Sequence, residues 1–193
     1  MRNALVLALV LSVMGCVSST PAAAQETRAG RERGSVDARV RALLSGIESA
    51  PTREELLALG TEGLEALIRL HGDTQEIGAI RLRAITCAGW FEGPRAHEFL
   101  VGLSRAPGQD ALHLRAALRA LAAREGTQAV EELVRHAGHA DVAVREAVLV
   151  SLATLSTMES VSAADRRAVR TTLEGLLAHE TDQELASSIR ARL

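Results

Sequence analysis

A chain of 193 residues has room for one domain and enough length to bury a core. It is 47% hydrophobic but only 2% aromatic, so Leu, Ala and Val carry the apolar content, which suits close-packed helices and argues against a strand-rich fold. The net charge is −2 with acids and bases interleaved, which excludes the basic stripe of a nucleic-acid binder, and every base is Arg, which excludes any mechanism that needs a lysine.

Arg2 followed by the apolar run from Ala4 to Gly15 has the form of an export signal, too short to span a bilayer, which takes about 20 residues. Its processing has two readings. Ala22-Ala23-Ala24 before Gln25 resembles a signal-peptidase site and defines a signal peptide over 1–24. Val13-Met14-Gly15-Cys16 resembles a bacterial lipobox, in which Cys16 becomes the lipidated N-terminus. The product is expected in the periplasm or outside the cell, or else on an envelope membrane through that lipid. Neither product carries an intramolecular disulfide. Residues 25–34 are polar and Gly-punctuated and read as a flexible linker, leaving 35–193 as the folded domain.

From Ser35 on, helical spacing dominates. Val36, Val40, Leu43, Leu44 and Ile47 share one face behind Ser35 as N-cap, and Pro51 stops that helix. Thr52 and Glu55 stand at capping-box spacing before a short helix closed by Gly60. Leu64, Leu67, Ile68 and Leu70 define the next, ended by Gly72. Helix pairs are then expected at Ile77 to Phe91 with Pro94 to Arg105, Asp110 to Glu125 with Thr127 to Ala137, and Asp141 to Ser156 with Ala163 to His179. Asp182 to Leu193 forms a last unit or a cap. Cys87 falls inside an apolar helical pattern, as a buried structural thiol would.

These units align. Setting Arg81, Arg115 and Arg145 in register, at spacings of 34 and 30 residues, brings Ile80, Leu114 and Val144 together, and likewise Ala84, Leu118 and Val148. Ala122 then stands where Leu152 does, which leaves room for a one-residue offset in the second unit. The last helix repeats the pattern with Asp182, Leu185, Ile189 and Leu193. Among the second helices, Leu64, Ala96 and Val130 align, then Leu67, Phe99 and Leu133, then Ile68, Leu100 and Val134. The stretch from Asp141 through Arg145 and Val148 to Leu152 resembles the first helix of a HEAT repeat of the short, bilin-lyase-like kind. The resemblance covers roughly Thr52 to Leu193. It implies an all-α solenoid, an α-α superhelix of about four HEAT-like helix pairs with degenerate end caps, since one pair cannot bury its apolar stripe alone. It also implies that the recurrent Arg ties neighbouring turns together through an Asp or through carbonyls, with Asp110 and Asp141 available as partners and N-caps.

The chemistry-bearing motifs are sparse. His136 and His139, followed by Asp141, have a spacing open to two metal ligands without a third, and their place at a helix end suits contacts with terminal carbonyls instead. His97-Glu98 lacks the second His of a zinc-protease helix. Ser104 and Ser151 have no nucleophile-elbow glycines, and no phosphate loop or dinucleotide fingerprint occurs. Glu54-Glu55 and Glu131-Glu132 are adjacent on helices and point apart. Trp90-Phe91 is expected in core or inter-repeat packing. No catalytic residue, cofactor or metal is assigned.

The expected function is non-catalytic protein–protein binding or scaffolding in a bacterial cell envelope. The alternatives are an accessory or lyase-like enzyme role, by analogy with bilin-lyase HEAT proteins, and a structural lipoprotein held through Cys16. The resemblance places the binding surface on the second helices, which line the concave side of such stacks. The polar positions there are Arg69, Glu98, Glu131, Glu132, Arg135 and Arg170, whose mixed signs fit a protein or peptide partner. Arg83 and Arg119 are expected on the opposite edge, facing solvent.

Overall fold

Helix caps and apolar spacing lay out the architecture before any packing is considered. In the computed structural model residues 34–46 and 50–193 are described. The export signal, Cys16, the linker up to residue 33 and Ile47 lie outside them. The helices are α1 (34–45), α2 (Arg53–Leu57), α3 (Gly60–Gly72), α4 (Gly78–Ala88), α5 (Pro94–Arg105), α6 (Ala111–Glu125), α7 (Val130–Arg135), α8 (Val142–Thr157), α9 (Ala163–His179) and α10 (Gln183–Arg190). No strand occurs among the described residues.

The starts of these helices are written in the sequence. Thr52 and Glu55 form the expected capping box on α2. Asp110, Asp141, Ser162 and Asp182 each accept from a backbone N–H in the first turn of the helix that follows. Pro94 opens α5 where a missing N–H costs nothing. Three local expectations shift. Ser35 lies inside α1 rather than at its cap. Gly60 opens α3 with φ 57°, a left-handed turn that glycine adopts without a Cβ clash. The unit expected over Thr127 to Ala137 is a 3-10 turn at Gly126–Ala129 leading into the short α7, because Gly126, at φ 59°, breaks the chain from α6.

The helices stack into an all-α, solenoid-like body. The first-helix row α4, α6 and α8 packs helix against helix, while α3 leans on α4, α5 on α6 and α9 on α8. The aligned core positions follow this row: Ile80, Leu114 and Val144 are buried, as are Ala84, Leu118 and Val148. Counted from the caps Asp110 and Asp141, Leu121 at 1% exposure, and not Ala122, stands where Leu152 does, so the one-residue offset left open in the second unit is present. The second helices have a different register from the expected one. Leu67, Leu100 and Leu133 are each 0% exposed and follow one another at 33 residues. Leu100, not Phe99, is therefore the partner of Leu67, and Val134 is left 37% exposed. Both candidate rows are apolar at helical spacing, and only contact with the first-helix row selects between them. Leu193 is also displaced from the core, at 38% exposure, because α10 ends at Arg190.

Arginines close the ends of these helices. A helix leaves its last four carbonyls without partners, and a guanidinium offers five donors in a fixed fork. Arg81 donates to the His71 carbonyl at the end of α3. Arg124 donates to the carbonyls of Phe91 and Gly93 beyond α4. Arg190 donates to Leu177 near the end of α9. Arg83 caps α1 through the carbonyls of Leu44 and Gly46, so it is a half-buried tie and not the solvent-facing edge residue expected.

Candidate functional site

The expected binding residues fall into two groups. Arg69 turns toward α1, where its Nη2 lies 2.5 Å from Asp37 Oδ1. Glu98 is exposed on α5 and Arg170 is half-buried on α9, and neither makes a hydrogen bond or ion pair among the described residues. Glu131, Glu132 and Arg135, by contrast, come together on α7 beside the end of α5. There Glu132 and Arg135 line a cavity of about 490 Å³ together with Ser104, Arg105, Gln109 and His136.

Glu132 departs from its expected place on the surface. It is 7% exposed, and its carboxylate accepts from Ser104 Oγ at 2.7 Å and from Arg105 Nη2 at 2.7 Å and Nε at 3.1 Å. The spacing within α7 explains this: Glu132 immediately precedes the core residue Leu133, so its side chain enters the α5–α7 seam rather than solvent. Burial works against its charge. The bonds from Arg105 and Ser104, with the charges of Arg105 and His136, outweigh burial and hold the carboxyl below the usual range. Glu131 remains exposed and pairs with Arg135 at 2.5 Å, four residues on, while Arg135 Nε also stands 3.5 Å from Glu132.

The His136 ring is mostly enclosed and its Nε2 has no hydrogen-bond partner, since Glu132 Oε1 at 3.7 Å is beyond bonding distance. Burial pushes its pKa down, against the pull of Glu132. His139 Nδ1 accepts from the Asp141 N–H at 3.0 Å, so this ring braces the turn into α8. Among the described residues no three His, Cys, Asp or Glu side chains gather as metal ligands would. Ser104 is 4% exposed and gives its proton to a carboxylate already engaged by a guanidinium, a weak base for activating a hydroxyl. The cluster is therefore suited to joining α5 to α7 and to presenting Arg105, Glu131 and Arg135 outward.

The recurrent Arg is resolved position by position. Arg145 makes a two-pronged pair with Glu180, Nη2 to Oε1 at 3.0 Å and Nε to Oε2 at 3.0 Å, and donates to the His139 carbonyl at 3.0 Å. Arg81 finds a carbonyl, as above. Asp110 and Asp141 act as helix caps and bond to neither Arg115 nor Arg145. Among the described residues Arg115 makes no hydrogen bond or ion pair, and its Nε is buried. It stands five residues after its helix cap where Arg145 stands four after its own. That extra residue rotates the side chain by about 100° from the preceding turn. Sequence reasoning did not find Glu180, which lies in the loop after α9, although an acid beside Asp182 at the end of a long helix was a visible signal.

Cys87 is 3% exposed, and burial pushes its thiol up to about 12, which keeps it protonated and unreactive. Trp90 and Phe91 part company: Phe91 is 5% exposed in the core, and Trp90 is half-buried. No family model matches this sequence, and no curated protein does either.

Proposed function

We propose that this chain is an exported, HEAT-like scaffold without catalytic activity, which binds a protein partner in a bacterial cell envelope through the surface of its second helices. The observation that carries this reading is the stack itself. The buried carboxylates of Glu132 and Glu180 are spent on joining separate helices, while charges of both signs stay exposed along α3, α5 and α7. Arg135 and Glu131 at the α5–α7 seam, with Arg69 and Glu98 on the helices before, offer several weak and partly electrostatic contacts to an extended partner. Arg170, without an ion pair among the described residues, adds a cation on α9, and Glu132 serves from beneath by fixing Arg105.

The test is affinity for the partner recovered by the full chain from envelope extracts. Reversal at Arg135 and Arg170 together is expected to weaken binding and flatten its salt dependence. Glu54→Arg, on the exposed side of α2 and away from both the second helices and the α4–α6 faces, is the comparison. Equal loss from both, or loss from Glu54→Arg alone, would sink the second-helix assignment.

The motif ending in Cys16 favours a second reading, a structural lipoprotein anchored through that residue. Cys16→Ser then moves the protein from membranes to the soluble fraction. If the mature chain begins at Gln25, the same change leaves fractionation as it was, and mass spectrometry of the N-terminus decides between them.

A further inference from the structure

On the opposite side of the first-helix row, a trough of about 390 Å³ runs between the outward faces of α4 and α6. The two helices pack together and come close where α4 ends, since a Cβ added at Gly89 would come 2.9 Å from the Ala120 Cβ. Leu82 and Trp90 form one wall, and Leu112 and Ala116 the other. Leu112 is 51% exposed, a large apolar side chain that the fold leaves uncovered. Arg115 and Arg119 are the only charged residues lining the trough, and neither makes a hydrogen bond or ion pair among the described residues. The Arg115 Nε is moreover buried without a partner, a donor that has lost water and gained nothing in return.

We infer that this trough is a docking site for an acidic amphipathic helix of a partner protein. Charge complementarity sets the sign: two unpaired cations stand with no acid beside them, in a chain whose net charge is −2. Spacing sets the shape. Arg115 and Arg119 are one turn apart on α6, so their guanidiniums match two carboxylates one turn apart on a facing helix. A single acyl carboxylate would leave one of the two unpaired. Leu or Phe side chains on the same stripe of that helix fill the space between Leu82, Trp90 and Leu112. The short side chain of Ala116 lets the helix axes approach to the usual 8–10 Å, in the helix-in-groove mode of recognition. The site shares no residue with the second-helix surface, so each reading can fail without the other.

Trp90 is the only tryptophan in the chain and stands in the trough wall, so its emission reports occupancy directly. The probe is a synthetic amphipathic peptide about five turns long, with a Leu stripe flanked by Glu pairs one turn apart. Titrated into the full chain, it is expected to shift Trp90 emission to the blue, saturably and less strongly as salt rises. Arg115→Gln with Arg119→Gln, checked for helicity by circular dichroism, is expected to weaken binding at least about tenfold. The same peptide with Lys in place of Glu should bind wild type at least about tenfold more weakly, a comparison that needs no variant. Absence of a shift with the Glu peptide overturns the proposal, as does equal affinity for the Lys peptide or equal affinity in the folded variant. A shift produced by dodecanoate and not by the Glu peptide overturns it too, since the site would then take a lipid-like acid.

Discussion

Leu152 is 0% exposed in the middle of α8 and, with Val148, belongs to the buried core. Leu152→Ala is expected to cost about 2–5 kcal/mol in urea unfolding, the transfer and cavity terms together. A loss below about 0.5 kcal/mol would mean that the side chain does not pack there. Glu180 presents a different residue-scale case. The Arg145 guanidinium, with the N–H groups of Asp182 and Thr181, holds its carboxyl below the usual range, against burial. A lowered carboxyl pKa stabilises the folded chain above the unfolded value and loses that contribution as pH falls through it. Glu180→Gln should therefore destabilise the protein at neutral pH. The gap to wild type should close below about pH 4. A gap that persists unchanged in acid would assign the effect to packing rather than charge. Arg145, Asp141 and the core leucines were legible from their spacing alone. Glu180 was not, because a loop acid becomes a partner only when the fold returns it 35 residues later to the same turn.

Between elements, the decisive contacts are small. Gly89 and Ala120 allow α4 and α6 to lie close, and Gly63 does the same beside Leu59, where an added Cβ would come 2.8 Å from the Leu59 Cβ. Gly89→Ala is expected to destabilise the protein by about 1–3 kcal/mol, as overpacking does. Ala120→Gly in the same chain should recover part of the loss, leaving the clash with the Ala120 carbonyl. A simple sum of the two single effects in a double-mutant cycle would show that the helices are not in contact at this point. Thr52, Asp110 and Asp141 could be named as caps from sequence because a cap acts on its own first turn, and Asp182 as a helix start, whereas Ser162 was passed over. The register of α3, α5 and α7 could not be read from sequence, since Phe99 and Leu100 are equally apolar and only the opposing first-helix row chooses which is buried.

At the scale of the whole molecule, two enclosed histidines make stability depend on pH. Burial lowers the pKa of His71, which packs edge-on to Phe99 and His113 at the α3–α5–α6 junction, and it lowers that of His136 near Glu132, His139 and Arg135. The unfolded chain then binds a proton more readily than the folded one. Stability is full above the usual value near 6.5 and falls as pH drops from there toward the lowered folded values. The melting temperature is expected to decline between about pH 7.5 and 5.5, less steeply in His71→Phe with His136→Gln. An unchanged slope in that variant would place the dependence on other groups.

Fold class and the starts of α2, α6, α8 and α10 were legible from local spacing and from caps acting within a turn, whereas the starts of α1, α3 and α7 and the register of α6 were not. The sequence by itself also carried a polar surface row, of which Glu131 and Arg135 do meet at one seam. Tertiary structure decided the rest. It buried Glu132, spent Arg83 on the end of α1 and Arg69 on Asp37, and left Arg115 unpaired beside an uncovered Leu112. Whether a charged side chain is a tie or a free surface group depends on which carbonyl or acid the chain brings back to it, often 30 residues or more away. Helical periodicity places a residue on a face but does not specify what that face will meet.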